Sequence, residues 1–144
     1  MASTSVSIRK ATAADQPRIH AVRMGVRENV LSDPSRVTDE EVAWYREQAI
    51  FLVSEAAGEV AGFACANHQT GLIWALFVDP EHEGRGHGSA LLDAALVALR
   101  TVGIVQAHLT TGAGTRAEGF YRRQGWQETG VSLDGNVVFV KALG

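Results

Sequence analysis

The chain has 144 residues, of which 46% are hydrophobic and 20% charged, and its formal net charge is −3. This length fits one domain spanning residues 1–144, and the apolar share excludes a wholly disordered chain. A weakly acidic chain offers no basic surface for nucleic acid. Residues 1–14 lack the apolar run of a signal peptide, and the most hydrophobic stretch, residues 90–99, is too short to cross a membrane. We therefore expect a soluble cytoplasmic protein that binds neither nucleic acid nor membranes.

Hydrophobic periodicity divides the chain into seven predicted strands and four predicted helices. The strands are predicted at Val6–Lys10, Ile50–Ser54, Val60–Ala66, Leu72–Val78, Ile104–Thr111, Trp126–Thr129 and Val137–Val140. Helices are predicted after capping-box sequences at Thr12–Asp15, Thr38–Glu41 and Thr115–Glu118, and after a glycine-rich segment that ends at Gly88. The strand Leu72–Val78 is nearly all apolar, which predicts a central strand covered on both faces. This order indicates one mixed α/β domain.

The segment between Val78 and the predicted long helix carries the strongest functional signal. It reads Asp79-Pro80-Glu81-His82-Glu83-Gly84-Arg85-Gly86-His87-Gly88-Ser89. The first N–H groups of a helix have no partner within the helix and lie at the positive end of its dipole. Because glycine lacks a Cβ atom, a phosphate can approach these N–H groups closely, and Arg85 adds a cation. The segment therefore predicts a phosphate or pyrophosphate seat.

Other readings of this segment fit less well. A P-loop needs a lysine before its serine, and Gly88-Ser89 has none. A dinucleotide-binding fingerprint has the spacing Gly-x-Gly-x-x-Gly, whereas these glycines alternate. His82 and His87 do not form a His-Glu-x-x-His zinc motif, and alternating glycines prevent the helix that would align them. We predict no metal site, and we expect both histidines to be solvated loop residues, with the backbone N–H of His87 facing the ligand.

The same segment resembles the coenzyme A signature of the GNAT superfamily of N-acetyltransferases. In that family a Val-x-Pro-like turn precedes Gln/Arg-x-x-Gly-x-Gly/Ala and a long helix, and Glu83 here replaces the usual Gln or Arg. The resemblance implies a single-domain α+β fold with a mostly antiparallel central sheet of about six to seven strands and about four helices. It implies that the pyrophosphate of acetyl-CoA contacts the amides of Gly84, Arg85, Gly86, His87, Gly88 and Ser89. Pantetheine would then pair with the strand edge at Phe77 and Val78.

A second resemblance lies in residues 115–126, which are similar to the family's helix Ala-x-x-Phe-Tyr-x-x-x-Gly-Phe/Trp. By this resemblance Tyr121 lies beside the thioester sulfur, where its hydroxyl donates a proton to the leaving thiolate or hydrogen-bonds the sulfur. The alternative is that Tyr121 is only a core aromatic residue. The family often has Asn seven residues before this tyrosine, where this chain has Gly114. The contact of that Asn with pantetheine is then lost, or replaced by Thr115 or Arg116.

The general base and the acceptor site are less well defined by the sequence. Glu28 is the leading candidate for the base, His108 and His68 follow, and a base acting only through water is equally consistent. The family resemblance places acceptor recognition near the first two helices. We therefore expect Arg27 and Asn29 to bind the acceptor and Trp74 to form an apolar floor. A mixture of Arg, Glu and Asn suggests a small polar acceptor, such as an amino acid or an amino sugar.

The sequence thus predicts an acetyl-CoA-dependent N-acetyltransferase that moves an acetyl group to a primary amine by direct attack, with Tyr121 as general acid. A catalytically silent acyl-CoA-binding or regulatory module is one alternative. A binder of a different nucleotide phosphate is another. Homodimers are common in the family, so a homodimer stays open, although no residue of this chain marks an interface.

Overall fold

A computed structural model describes residues 6–25 and 39–143. The strands are β1 (Ser7–Lys10), β2 (Ile50–Ala56), β3 (Glu59–Ala66), β4 (Ile73–Val78), β5 (Gln106–Thr111), β6 (Gln127–Val131) and β7 (Val137–Ala142). The helices are α1 (Gln16–Gly25), α2 (Asp39–Gln48), α3 (His87–Thr101) and α4 (Arg116–Arg123), with 3-10 turns at Ala13–Asp15 and Pro80–His82. Within these two described ranges, no helix has the length and apolar character needed to span a membrane.

Short-range hydrogen bonds set the start of two helical segments, as the sequence predicts. The N–H of Thr12 donates to Oδ2 of Asp15 at 2.7 Å, and a short 3-10 turn there leads into α1. The N–H of Glu118 donates to Oγ1 of Thr115 at 3.3 Å, so Thr115 is the N-cap of α4. The third predicted box begins at Thr38, which lies outside the described residues.

The seven strands form two antiparallel sheets. The first has the order β1-β2-β3-β4 and the second the order β5-β7-β6. One parallel bridge between Leu72 and His108 joins the start of β4 to β5. Between this bridge and the strand ends at Val78 and Thr111, the described residues show no pairing of β4 with β5. The edge of β4 that faces β5 is therefore left unpaired where the two sheets separate.

Helices cover both faces of the first sheet. One face packs against α1 and α2 through Ile19, Val22, Val42, Tyr45, Phe51, Val53, Phe63 and Phe77. The other face packs against α3 through Leu91, Leu92, Ala95 and Leu99, and this cluster continues into the second sheet at Leu109 and Phe139. Each fully buried leucine stabilises the fold by about 2 kcal/mol relative to an exposed one. The two clusters hold β4 between them, as the apolar sequence of that strand predicts.

The predicted fold class is confirmed. The strands and helices of the described residues give a mixed, mostly antiparallel α/β architecture, with the predicted central sheet divided into four and three strands. Cys65 lies fully buried in β3 as a free thiol, and burial raises its pKa well above the ordinary value. The assignment of residues 1–144 to a single domain stays a prediction.

Candidate functional site

The connection from β4 to α3 has a geometry set by its proline and glycines. Oδ1 of Asp79 accepts the N–H of Glu81 at 3.0 Å, and Pro80 begins the 3-10 turn, so the chain leaves β4 in a defined direction. Gly84 and Gly86 have φ angles of 78° and 89°. This left-handed region costs other residues about 1–2 kcal/mol. The two glycines therefore let the chain turn directly into α3, with Gly86 as its N-cap.

The backbone N–H groups of residues 84–89 donate no hydrogen bond within the described residues. The first helical bond of α3 runs from the N–H of Ala90 to the carbonyl of Gly86, at 3.0 Å. Ideal Cβ atoms built on Gly84 and Gly86 meet no protein atom within 4 Å, so the backbone here borders open space. Unpartnered donors at the positive end of a 15-residue helix are the arrangement that favours an anion.

A cavity of about 850 Å³ lies between this connection and α4. Its first wall includes Leu76, Val78, Gly84, Gly86, His87, Gly88 and Ser89. Its second wall includes Arg116, Ala117, Phe120, Tyr121, Arg123 and Gln124. The volume lies within the range of typical ligand sites, about 300–1,000 Å³. The predicted anion seat and the predicted catalytic tyrosine therefore share one cavity.

Tyr121 lies buried in the second wall. It lies four residues after Ala117 on the buried face of α4, and it is only 6% exposed. Its ring packs against Trp126 and Phe139 at centroid distances of 5.7 and 6.1 Å. No described residue hydrogen-bonds its hydroxyl, and burial raises the pKa of that hydroxyl well above 10. Tyr121 is therefore protonated at neutral pH and can donate a proton rather than accept one.

The expectation that His82 and His87 are solvated is wrong for His87, which is 1% exposed. As the first residue of α3 it shares a helix face with the buried Leu91, four residues later, and this face turns its ring inward. The ring packs edge-on against His82 at 5.8 Å between centroids. Both ring nitrogens are buried without a hydrogen-bond partner. Burial, aided by the charges of His82 and Arg85, lowers the pKa of His87, so the imidazole is neutral.

This buried imidazole predicts a pH dependence of stability. The folded-state pKa of His87 is lowered from 6.5, so the unfolded chain binds more protons and stability falls as the pH drops below about 6.5. We expect His87→Leu to raise the free energy of unfolding by about 1 kcal/mol at pH 7.5, because it removes two unpartnered buried nitrogens. The gain should be larger at pH 5.5. Urea unfolding at both pH values measures it, and an equal gain at both would contradict the lowered pKa.

Two contacts across the cavity were not part of the sequence prediction. Nη1 of Arg116 lies 2.7 Å from Oε2 of Glu83, which connects the start of α4 to the glycine segment. Nε2 of Gln124 donates to Oγ of Ser89 at 3.0 Å. The only sequence signal for the first contact was that Glu83 departs from the family pattern, and nothing in the sequence named Arg116 as its partner. The Gln124 contact had no such signal.

Of the other described residues predicted to bind a ligand, Val78 alone lines the cavity. Val78 is half-buried and lines the cavity, whereas Phe77 is 6% exposed and points to the α1 and α2 side of the sheet. Arg85 is exposed and does not line the cavity. Trp74 stacks on Tyr45 at 4.3 Å between centroids, away from the cavity wall. The assigned roles of Phe77, Arg85 and Trp74 in ligand binding stay predictions.

Arg27, Glu28 and Asn29 lie outside the described residues, so their predicted roles at the acceptor site and as general base also stay predictions. His108 lies at the bridge where β4 and β5 are still joined, and it does not line the cavity. Across residues 6–25 and 39–143, no three His, Cys, Asp or Glu side chains are grouped so as to hold a metal ion.

In this α/β protein an exposed helix N-terminus and a protonated tyrosine lie in one cavity where two sheets separate, an arrangement that favours an anionic ligand beside a hydroxyl group. The sequence model of the acetyltransferase (GNAT) family matches residues 17–126. The chain belongs to this family, as the two sequence signatures predict.

Comparison with known proteins gives two kinds of similarity. A mycothiol acetyltransferase from Propionibacterium freudenreichii subsp. shermanii is 31% identical over 90 residues, which cover 58% of this chain and 29% of that protein. The chain spans about three-tenths of the length of the curated relatives it matches. An N-acetyltransferase structure from Staphylococcus aureus Mu50 has a TM-score of 0.81 at 21% identity, covering 97% of this chain and 99% of that one. The yncA structure from Salmonella typhimurium, with its cofactor acetyl-CoA, has a TM-score of 0.78 at 20% identity over 97% and 95%. The structural likeness shows the fold.

Proposed function

We propose that the protein is an acetyl-CoA-dependent N-acetyltransferase that transfers an acetyl group to a primary amine of a small polar molecule. One observation carries the proposal: the segment that carries the unpartnered amides lines, at Gly84 and at residues 86–89, the same cavity as the buried ring of Tyr121. The amides suit a diphosphate, and a protonated tyrosine suits a leaving thiolate. Membership of the acetyltransferase family supports both assignments.

The described residues offer backbone donors for two parts of coenzyme A, the diphosphate and the pantetheine. The N–H groups from Gly84 to Ser89 would hold the diphosphate. The unpaired edge of β4 next to Val78 would hold the pantetheine amides by backbone hydrogen bonds, in the manner of an added strand. Bound in this way, coenzyme A would run from the start of α3 into the opening between the two sheets. When bound, acetyl-CoA supplies a thioester, whose acetyl group passes to the amine nitrogen as the C–S bond breaks.

Tyr121 would act at the thioester sulfur. Burial raises the pKa of this hydroxyl, so it carries its proton at neutral pH and could hydrogen-bond the sulfur or donate that proton to the thiolate as the C–S bond breaks. A backbone N–H at the end of β4, near Phe77 or Val78, would hydrogen-bond the carbonyl oxygen as it gains negative charge. The amine must lose a proton before it attacks. For a lysine-like amine with a pKa near 10.4, holding the neutral form at pH 7 costs about 4–5 kcal/mol. We assign that task to Glu28 or to water.

The acceptor is proposed to be a small molecule. The curated relatives are named for acetylation of mycothiol, a small molecule, which supports this class over a protein substrate. Arg27 and Asn29 would bind polar groups of the acceptor. Trp74 would offer an apolar surface from β4, where it already stacks on Tyr45.

Release of free thiol from acetyl-CoA, measured across a panel of amino acids, amino sugars and aminothiols, tests the proposal. We expect amine-dependent release with at least one acceptor and N-acetyl product by mass spectrometry. Binding of acetyl-CoA without turnover of any amine would favour the silent acyl-CoA-binding module. A thermal-shift comparison separates the remaining alternative, because stabilisation by ATP or NAD but not by acetyl-CoA would overturn the proposal.

A further inference from the structure

The ion pair between Glu83 and Arg116 joins the two walls of the cavity, next to the unpartnered amides of the glycine segment. Glu83 immediately precedes Gly84, the first of the unpartnered amides, and Arg116 is the first residue of α4 on the opposite wall. Their closest atoms are 2.7 Å apart. The two side chains are 32% and 69% exposed, and an ion pair this open to water contributes little to folding. Folding stability therefore does not explain this ion pair, and we consider instead what it does to a ligand bound in the cavity.

The charges of this pair matter for an anionic ligand. A carboxylate beside the seat would by itself repel a diphosphate, and Glu83 occupies that position. The guanidinium of Arg116 neutralises it, and its planar fork of five N–H donors can serve a carboxylate and a phosphate at the same time. Glu83 also fixes the direction of a long side chain that would otherwise sample many rotamers. His82 lines the Glu83 side of the cavity, Arg85 is exposed and does not line it, and Arg123 lies about two turns further along α4.

We propose that Arg116 contacts the diphosphate of acetyl-CoA from the α4 side, opposite the amides of residues 84–89, and that Glu83 is a positioning residue that holds the guanidinium over the seat. The diphosphate would then be bound from two sides, by backbone N–H groups and by one side-chain cation. Since the ligand comes from the proposed function, this inference rests on it.

A double-mutant cycle tests the coupling of the two side chains. Calorimetry gives the Kd for acetyl-CoA of the wild type, Glu83→Gln, Arg116→Gln and the double variant, with Arg100→Gln on the exposed end of α3 as control. We expect Arg116→Gln to raise the Kd about tenfold, because charge-assisted hydrogen bonds to phosphate are lost. We expect Glu83→Gln to raise it about threefold, and to have no such effect when Arg116 is already Gln.

The sign of the Glu83→Gln effect decides between two roles. If Glu83 only repelled the ligand, removing its charge would tighten binding, and that result would overturn the positioning role. An unchanged Kd for Arg116→Gln would overturn the contact itself. In steady-state assays Glu83→Gln should raise the KM for acetyl-CoA and leave kcat unchanged. Circular dichroism and Tm confirm that each variant is folded, since an exposed pair is not needed for folding.

Binding of three ligands shows which phosphate group of acetyl-CoA Arg116 contacts. Arg116→Gln should weaken acetyl-CoA and acetyl-dephospho-CoA equally and leave S-acetylpantetheine, which lacks the diphosphate, unaffected. If the effect were absent with acetyl-dephospho-CoA, Arg116 would contact the 3′-phosphate, and the assignment to the diphosphate would be wrong. These outcomes can be told apart from a failure of the proposed function, because in that case the wild type itself would give no heat with acetyl-CoA.

Discussion

Replacement of Tyr121 by Phe is expected to lower kcat by about 100-fold or more and to change the KM for acetyl-CoA little. Proton transfer by a positioned side chain contributes about 10²–10⁴-fold to rate, and only the hydroxyl is lost. The ring contacts with Trp126 and Phe139 remain. Because no described residue hydrogen-bonds the hydroxyl, the variant should unfold at nearly the same temperature as the wild type. A fall in kcat at unchanged Tm would then report chemistry rather than misfolding.

The matched control is Tyr45→Phe, which alters the other tyrosine of the chain. Tyr45 is also buried, but its hydroxyl is hydrogen-bonded to Asn67 and it lies outside the cavity. This variant should lose some stability and keep its kcat. The raised pKa of Tyr121 adds a further expectation: its deprotonation should cause no alkaline loss of activity below about pH 10. Equal kcat values for wild type and Tyr121→Phe would make Tyr121 a core residue only.

Local sequence was enough to predict the backbone geometry of the glycine segment in the candidate site. Alternate glycines between an apolar strand and a helix require exposed amides, because the left-handed turns and the helix start follow from the glycines themselves. The family resemblance pointed to Tyr121, and its place on the buried face of α4, four residues after the buried Ala117, is what the structure adds. The shared cavity, however, depends on how two distant elements pack, and only the family resemblance pointed to it.

The features that the sequence did not predict are tertiary contacts between residues far apart in the chain. The contact of Glu83 with Arg116 joins residues 33 positions apart, and no spacing rule links them. The glycine pattern predicts a solvated loop at His87, whereas His87 is the first residue of α3 and lies on the same face as the buried Leu91. The division of the sheet was likewise not predicted, because strand patterns show which faces are buried and not where the pairing of β4 with β5 stops.

Gly86→Val is the second variant with a large expected effect, and Gly103→Val is its matched control. Both glycines have φ angles near the same value, 89° and 94°, and a Cβ atom on either meets no protein atom within 4 Å. Valine should therefore impose a similar backbone strain at both sites, about 1–2 kcal/mol or somewhat more for a β-branched side chain. The two positions differ in what lies beyond the protein, since Gly86 borders the cavity and Gly103 follows the other end of α3.

We expect Gly86→Val to raise the Kd for acetyl-CoA by about 100-fold or more, because the side chain would occupy the space of the diphosphate and separate it from at least two N–H donors. Gly103→Val should lose the same stability and keep the wild-type Kd. Calorimetry and urea unfolding on both variants measure the two effects separately, and Gly86→Ala serves if valine prevents folding. Equal Kd values for the two valine variants would mean that the open space at Gly86 is not the ligand site, and that the unpartnered amides of this segment face only water.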